Sequence, residues 1–172
     1  MLILSGISGV APQAATLKST ADTLIYQLPA DLADILRSFA SHLGISKALP
    51  ALFFPLPAPN TIYIEHVGGE AAFGEAAREI RFRFWIIKTR TQLPATKDQY
   101  TADYTLYRLI LLLQANPTFD NLGGICGIRR INWISGTDAI GQLSQHIPSG
   151  QFSAALLDVT YSLPESALNK IF

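Results

Sequence analysis

The segment REIRFRFWIIKT, residues 78–89, constrains the fold of this chain more than any other stretch. Side chains of an extended strand alternate between two faces. One face of this segment carries four apolar side chains, those of Ile80, Phe82, Phe84 and Ile86. The other face carries Arg81, Arg83, Trp85 and Ile87. The alternation predicts a β-strand with one fully apolar face.

Other segments supply further strands and two helices. Alternating or apolar patterns predict strands at 61–67, 122–135 and 152–163. Apolar residues at helical spacing predict one helix over DLADILRSFASHLG, capped by Asp31 and ended by Gly44. A second helix is predicted over QYTADYTLYRLILLLQANP, and its buried stripe comprises Ala102, Leu106, Leu109, Ile110 and Leu113.

The order of these elements indicates the fold class. Strands that follow one another at close range need no crossover helix, and residues 135–151 are predicted to be a polar loop. We therefore expect an α+β fold, a mostly antiparallel sheet of about four strands with helices packed on one face. The length of 172 residues suits a single domain over residues 1–172.

Residues 49–60, LPALFFPLPAPN, interrupt this order with four prolines. Proline donates no backbone hydrogen bond to a sheet, so the segment is predicted to be a proline-rich arm or connector. An arm of this kind can reach a neighbouring subunit. Its aromatic residues Phe53 and Phe54 are therefore candidate interface residues.

Charge and cysteine content exclude several classes of function. Lys plus Arg and Asp plus Glu both number 13, so the net charge is zero and no general attraction to nucleic acid or anionic membrane is expected. The single cysteine, Cys126, excludes an intramolecular disulfide. We expect an unprocessed chain without a membrane segment, because no stretch approaches the roughly 18 apolar residues needed. Hydrophobic residues make up 49% of the chain, which favours burial between subunits.

No catalytic constellation stands out. Gly123, Gly124 and Gly127 follow a helix and precede a strand, the reverse of the order that a phosphate-binding loop needs. The three histidines are far apart in sequence, and we expect no metal, no cofactor and no enzymatic activity. Asp158 interrupts an apolar strand and is expected either to face solvent or to meet an arginine.

Residues 60–163 carry a pattern found in a known family. Its parts are a strand ending near Ile87, the helix TADYTLYRLILLLQANPTF, the step LGGICGIRRINWI, a polar loop and the closing strand SGQFSAALLDVTYSL. In this pattern the chain resembles the tail terminator (tail completion) proteins of long-tailed bacteriophages. The resemblance implies an α+β fold and a hexameric ring. Such a ring caps the head-proximal end of the tail tube, stops tube polymerisation and joins the tail to the neck.

The resemblance also implies the partners. These are further copies of the chain, the tail tube protein and a neck or head-completion protein, with DNA passing through the lumen without specific binding and no membrane. The implied location is the tail and neck region of the virion, after assembly in the host cytoplasm. Besides the arm, the residues expected at an interface are Tyr104, Tyr107, Arg108, Arg129 and Arg130.

Two alternatives stay open. One is another structural component of the virion, a neck, head-completion or minor tail protein. The other belongs to a different class, a small α+β enzyme or ligand-binding domain with a pocket near Glu65, His66 and Asp158. A closed ring favours the structural classes, whereas a monomer with a deep polar pocket favours the enzyme or binding domain.

Overall fold

The computed structural model describes residues 22–50, 60–70, 79–89, 102–118, 127–143 and 152–162. Its helices are α1 (Leu28–Ser38), entered through the π-helical turn Thr23–Gln27, then α2 (Ala40–Leu43), α3 (Ala102–Ala115) and α4 (Gly136–Leu143). Its strands are β1 (Lys47–Pro50), β2 (Thr61–Glu70), β3 (Glu79–Thr89), β4 (Gly127–Ser135) and β5 (Phe152–Ser162). Phe53, Phe54 and Cys126 lie outside the described residues. None of the helices within these ranges is long and apolar enough to cross a lipid bilayer.

The strands form one mixed sheet in the order β1-β2-β3-β5-β4. Neighbouring strands are antiparallel except β1 and β2, which run parallel. The α+β prediction is confirmed, with five strands instead of four. The additional strand is β1, whose last residues Leu49 and Pro50 lie opposite Tyr63 and Ile64. Assigning Leu49 and Pro50 to the arm was wrong, because a proline is tolerated at the end of an edge strand.

The face of the sheet that carries Phe82 and Phe84 is covered by α1, α2 and α3, and is termed the helical face. The predicted apolar face of β3 is confirmed, since all four of its side chains are buried in this core. The predicted stripe of α3 is also buried, namely Ala102, Leu106, Leu109, Ile110 and Leu113. Each fully buried large apolar side chain contributes about 1.5–3 kcal/mol. The helical face is therefore the main source of stability.

The opposite face of the sheet, termed the reverse face, carries a second and smaller core. This core comprises Tyr63, Trp85, Ile87, Ala139, Leu143, Ala154 and Leu156. Two of these residues belong to α4, so the prediction of a polar loop was wrong for residues 136–143, and the prediction of helices on one face was wrong as well. Residues 144–151 lie outside the described residues. α4 has eight residues and contains glycine, threonine and aspartate, which individually favour turns. The local sequence pattern therefore did not indicate a helix here.

The first predicted helix is two helices in the structure. α1 begins at Leu28, with Pro29 in its first turn, so Asp31 is not the N-cap but an acidic residue of the first turn. The helix breaks at Phe39, where φ is −105°. α2 then ends at Gly44, whose φ of 67° is the left-handed conformation that the sequence predicted.

Three successive carbonyl groups at the end of α2 accept hydrogen bonds from side chains of other elements. The donors are Arg108, Thr105 and Lys88, and the acceptors are the carbonyl oxygens of His42, Leu43 and Gly44 in that order. Carbonyls at a helix end have no partner within the helix, so these bonds satisfy them. Lys88 is 2% exposed, and its burial lowers the pKa of its ammonium group. The three bonds join α2 to α3 and to the sheet.

Candidate protein interface

Three large apolar side chains are exposed at the β4 margin of the helical face. Tyr107 and Leu111 of α3 are 57% and 64% exposed, and Trp133 of β4 is 47% exposed. The rings of Tyr107 and Trp133 meet edge to face, with their centroids 6.5 Å apart. Leu111 lies one turn along α3 from Tyr107, on the same side of the helix. These three residues are termed the α3–β4 patch, and exposed apolar groups of this kind are typical of surfaces that bind another protein.

A groove of about 480 Å³ lies beside the patch, between α3 and β4. Its lining residues are Ile110, Gln114, Pro117, Ile128, Arg129, Arg130, Ile131 and Trp133. Arg129 and Arg130 are both exposed and form no ion pair with another described residue. The groove thus combines apolar walls with the exposed arginine of the β4 edge, Arg129, whereas Arg130 is in register with Thr160 on the reverse face. An apolar side chain flanked by carboxylates matches it in shape and in charge.

The position of β4 explains why this margin is open. β4 lies at the edge of the sheet, with β5 as its one strand neighbour in the described part of the chain. A bulge between Ile128 and Arg130 inserts Arg129 as an extra residue. Bulges redirect side chains, and here both arginines line the groove. An edge strand also presents backbone groups that can pair with another chain.

No protein-family model matches the chain, and no curated protein matches it.

The residues predicted for an interface fall into two groups in the structure. Tyr107, Arg129 and Arg130 lie around the α3–β4 patch and its groove. Tyr104 and Arg108 contact each other along α3, with the guanidinium carbon of Arg108 4.3 Å from the centre of the Tyr104 ring. Because Arg108 also donates to the end of α2, it has a structural contact that its sequence position did not indicate.

Sequence reasoning missed Trp133 and Leu111. Trp133 alternates with Ile131 and so has the spacing of a core position, but at the edge strand it remains half exposed. Leu111 belongs to the apolar run LILLL of α3. Leu111 lies outside the buried stripe of that helix. An apolar residue outside the stripe is expected to be exposed, and this could have identified Leu111 from the sequence.

A row of polar side chains crosses four strands on the reverse face. Its members occupy matching register positions and are Glu65, Arg83, Asp158 and Asn132. Arg83 donates from Nε and Nη2 to the two carboxylate oxygens of Asp158 at 2.8 and 2.9 Å, and this hydrogen bonding raises the pKa of the guanidinium. Glu65 accepts a hydrogen bond of 2.9 Å from the Trp85 indole N–H. Of the two environments expected for Asp158, the structure shows the arginine.

The structure does not bring Glu65, His66 and Asp158, the residues expected around a pocket, to one face of the sheet. His66 lies against Phe82 on the helical face, with ring centroids 5.9 Å apart, whereas the two carboxylates are on the reverse face. Burial lowers the pKa of His66, and the charge of Glu65 raises it by less. Within the described ranges, no three His, Cys, Asp or Glu side chains are close enough to hold a metal ion.

Proposed function

We propose that this chain is a structural subunit of a long-tailed phage, a tail terminator that assembles into a closed hexameric ring. One observation carries the proposal: the α3–β4 patch leaves three large apolar side chains exposed beside an edge strand. Covering apolar surface contributes about 25 cal/mol per Å², so contact with another copy stabilises the patch. The resemblance over residues 60–163 supports the same kind of assembly, and β2 to β5 with α3 fall within that range.

The proposed mechanism is geometric. A ring closes when a contact between two different surfaces repeats until the rotation reaches a full turn. One face of the ring binds the last layer of the tail tube, while the other face does not repeat that contact, so polymerisation stops. The second face then binds the neck or head-completion protein. DNA passes through the lumen without specific binding, in keeping with a chain of zero net charge.

The first test targets the patch with Trp133→Lys. Lysine places a charge where the partner is expected to bury an aromatic ring, so the variant should be monomeric while the wild type forms rings. Sedimentation velocity and negative-stain electron microscopy measure the assembly, and thermal unfolding checks the fold. Gln142→Lys is the matched control, because Gln142 is exposed on α4, on the reverse face. It should form rings like the wild type.

A second measurement addresses termination itself. Purified rings added to growing tail tubes should shorten the tubes seen by electron microscopy, and Trp133→Lys should leave tube length unchanged. A wild-type chain that stays monomeric at all concentrations would contradict the proposal. Rings that form but do not affect tube length would favour another neck or tail component.

A further inference from the structure

The described residues contain four exposed large apolar side chains, and the fourth lies far from the α3–β4 patch. It is Tyr26, in the π-helical turn before α1, and it is 56% exposed. α1 packs on β1 and β2, whereas the patch lies at β4, at the other end of the strand order. Four strand spacings of about 4.8 Å separate the two margins by about 19 Å. Tyr26 and the patch therefore belong to different surfaces of one subunit.

The charges around Tyr26 are opposite to those at the patch. Residues 22–38 contain three aspartates and one arginine, a net charge of −2. Asp34 is exposed on α1 and forms an ion pair with Arg37, and Asp31 accepts a hydrogen bond of 2.7 Å from Gln27. Strand β4 contains two arginines and no acidic residue, a net charge of +2. One margin of the molecule thus has an exposed aromatic ring on an acidic segment, and the other has an apolar groove beside the exposed Arg129.

We infer that the Tyr26 end of α1 docks onto the α3–β4 patch of a second copy of this chain. The Tyr26 ring enters the groove between α3 and β4, and Asp31 and Asp34 face Arg129 of that copy. Because the two surfaces differ and lie at opposite margins, the contact is head to tail and leaves the pair of subunits with one free surface of each kind. The inference rests on the proposed self-association and adds the surface that the patch binds.

A mixing experiment tests the pairing. The first variant, Trp133→Lys, loses the patch. The second, Tyr26→Ser with Asp34→Lys, loses the α1 surface, and both of its positions are exposed, so the fold should be retained. Each variant alone should be monomeric. An equimolar mixture should form dimers of one copy of each and nothing larger, because only one intact pair of surfaces remains.

Charge reversal supplies an independent measurement. Asp34→Lys alone should weaken association by about tenfold, and higher salt should weaken the wild-type contact in the same direction. Mixing the Asp34→Lys chain with an Arg129→Glu chain should restore part of the lost association. Sedimentation equilibrium measures the masses, and circular dichroism checks that each variant is folded.

The outcomes separate this inference from the proposed function. If Trp133→Lys is monomeric but the α1 variant forms rings, the patch drives assembly but does not bind the Tyr26 end of α1, and the inference is wrong. A mixture that stays monomeric overturns the inference as well, because the intact α1 surface of one variant then does not bind the intact patch of the other. If the wild type itself never associates, the proposed function fails first.

Discussion

Two neighbouring register rows show how differently the two faces of the sheet are built. On the helical face, one row runs through Ile64, Phe84 and Leu157 and ends at Trp133 on β4. The first three are fully buried, whereas Trp133 is 47% exposed. The next row, on the reverse face, is the polar row that runs from Glu65 to Asn132. At the edge of the sheet the apolar row is exposed to solvent at Trp133. Polar side chains in the other row can contact water without an equivalent cost.

The difference indicates where each face obtains its stability and where a partner is needed. Side chains on the helical face gain free energy by leaving water, so an uncovered end such as Trp133 favours contact with another chain. Carboxylates and guanidinium groups on the reverse face lose hydration when half buried, and they need a hydrogen-bonding partner in the same subunit. Arg83 and Asp158 provide this for each other. Assembly is therefore expected at the margin of the apolar face.

The largest predicted effect comes from the helical face. Leu109 is fully buried in α3, and Leu109→Ala removes its contacts and leaves a cavity. The free energy of unfolding should fall by about 2–5 kcal/mol. Urea denaturation measures it, in the Trp133→Lys background so that assembly does not contribute.

Leu111→Ala is the matched control for that variant, since Leu111 is on the same helix and 64% exposed. It should change the stability of the monomer by no more than about 0.5 kcal/mol. If both variants lowered the free energy of unfolding equally, the exposed side of α3 would contribute to the monomer core. The buried helical face and its margin would then not differ in their contribution to stability.

The elements that the sequence predicted are those with a long local pattern. The alternation of β3 and the stripe of α3 each repeat over ten or more residues, so the buried side of each could be assigned correctly. β1 has four residues, one of them Pro50, and it becomes a strand only by parallel pairing with β2. Four residues are too few for a pattern, and pairing between distant segments is not encoded locally.

The candidate interface depends even more on strand order. Arg129 and Arg130 were predicted to contact a partner from their position on a strand, but the groove beside them exists because β4 is at the edge and α3 packs next to it. Asp158 was expected either to face solvent or to meet an arginine of a neighbouring strand or subunit. That its partner is Arg83 follows from β3 lying next to β5, which no local pattern in either segment indicates.

A smaller effect is predicted on the reverse face, where Arg83→Met leaves Asp158 half buried without its partner. Hydrogen bonds to charged groups contribute about 1.5–3 kcal/mol, and stability should fall within or slightly below that range because the pair is partly exposed. Adding Asp158→Leu should recover part of the loss, since two apolar side chains need no partner.

Arg81→Met is the control for the ion pair. Arg81 is on the same face of β3 and forms no ion pair with a described residue, so its replacement should change stability by about 0.5 kcal/mol or less. If Arg83→Met is equally neutral in thermal and chemical unfolding, the polar row does not stabilise the reverse face.

The smallest effect concerns Tyr161, whose hydroxyl is buried on the helical face. Its ring is fully buried, 6.0 Å from the Phe82 ring, and its hydroxyl has no hydrogen-bond partner among the described residues. Burial also raises the pKa of this hydroxyl, so it stays protonated. Tyr161→Phe keeps the ring and removes an unsatisfied polar group, so the free energy of unfolding should stay the same or rise by up to about 1 kcal/mol. Tyr161→Leu is the comparison variant: it also loses the ring and should destabilise by about 1–3 kcal/mol. A clear loss of stability for Tyr161→Phe would show that the hydroxyl has a partner in solution, and both faces would then pair their buried polar groups.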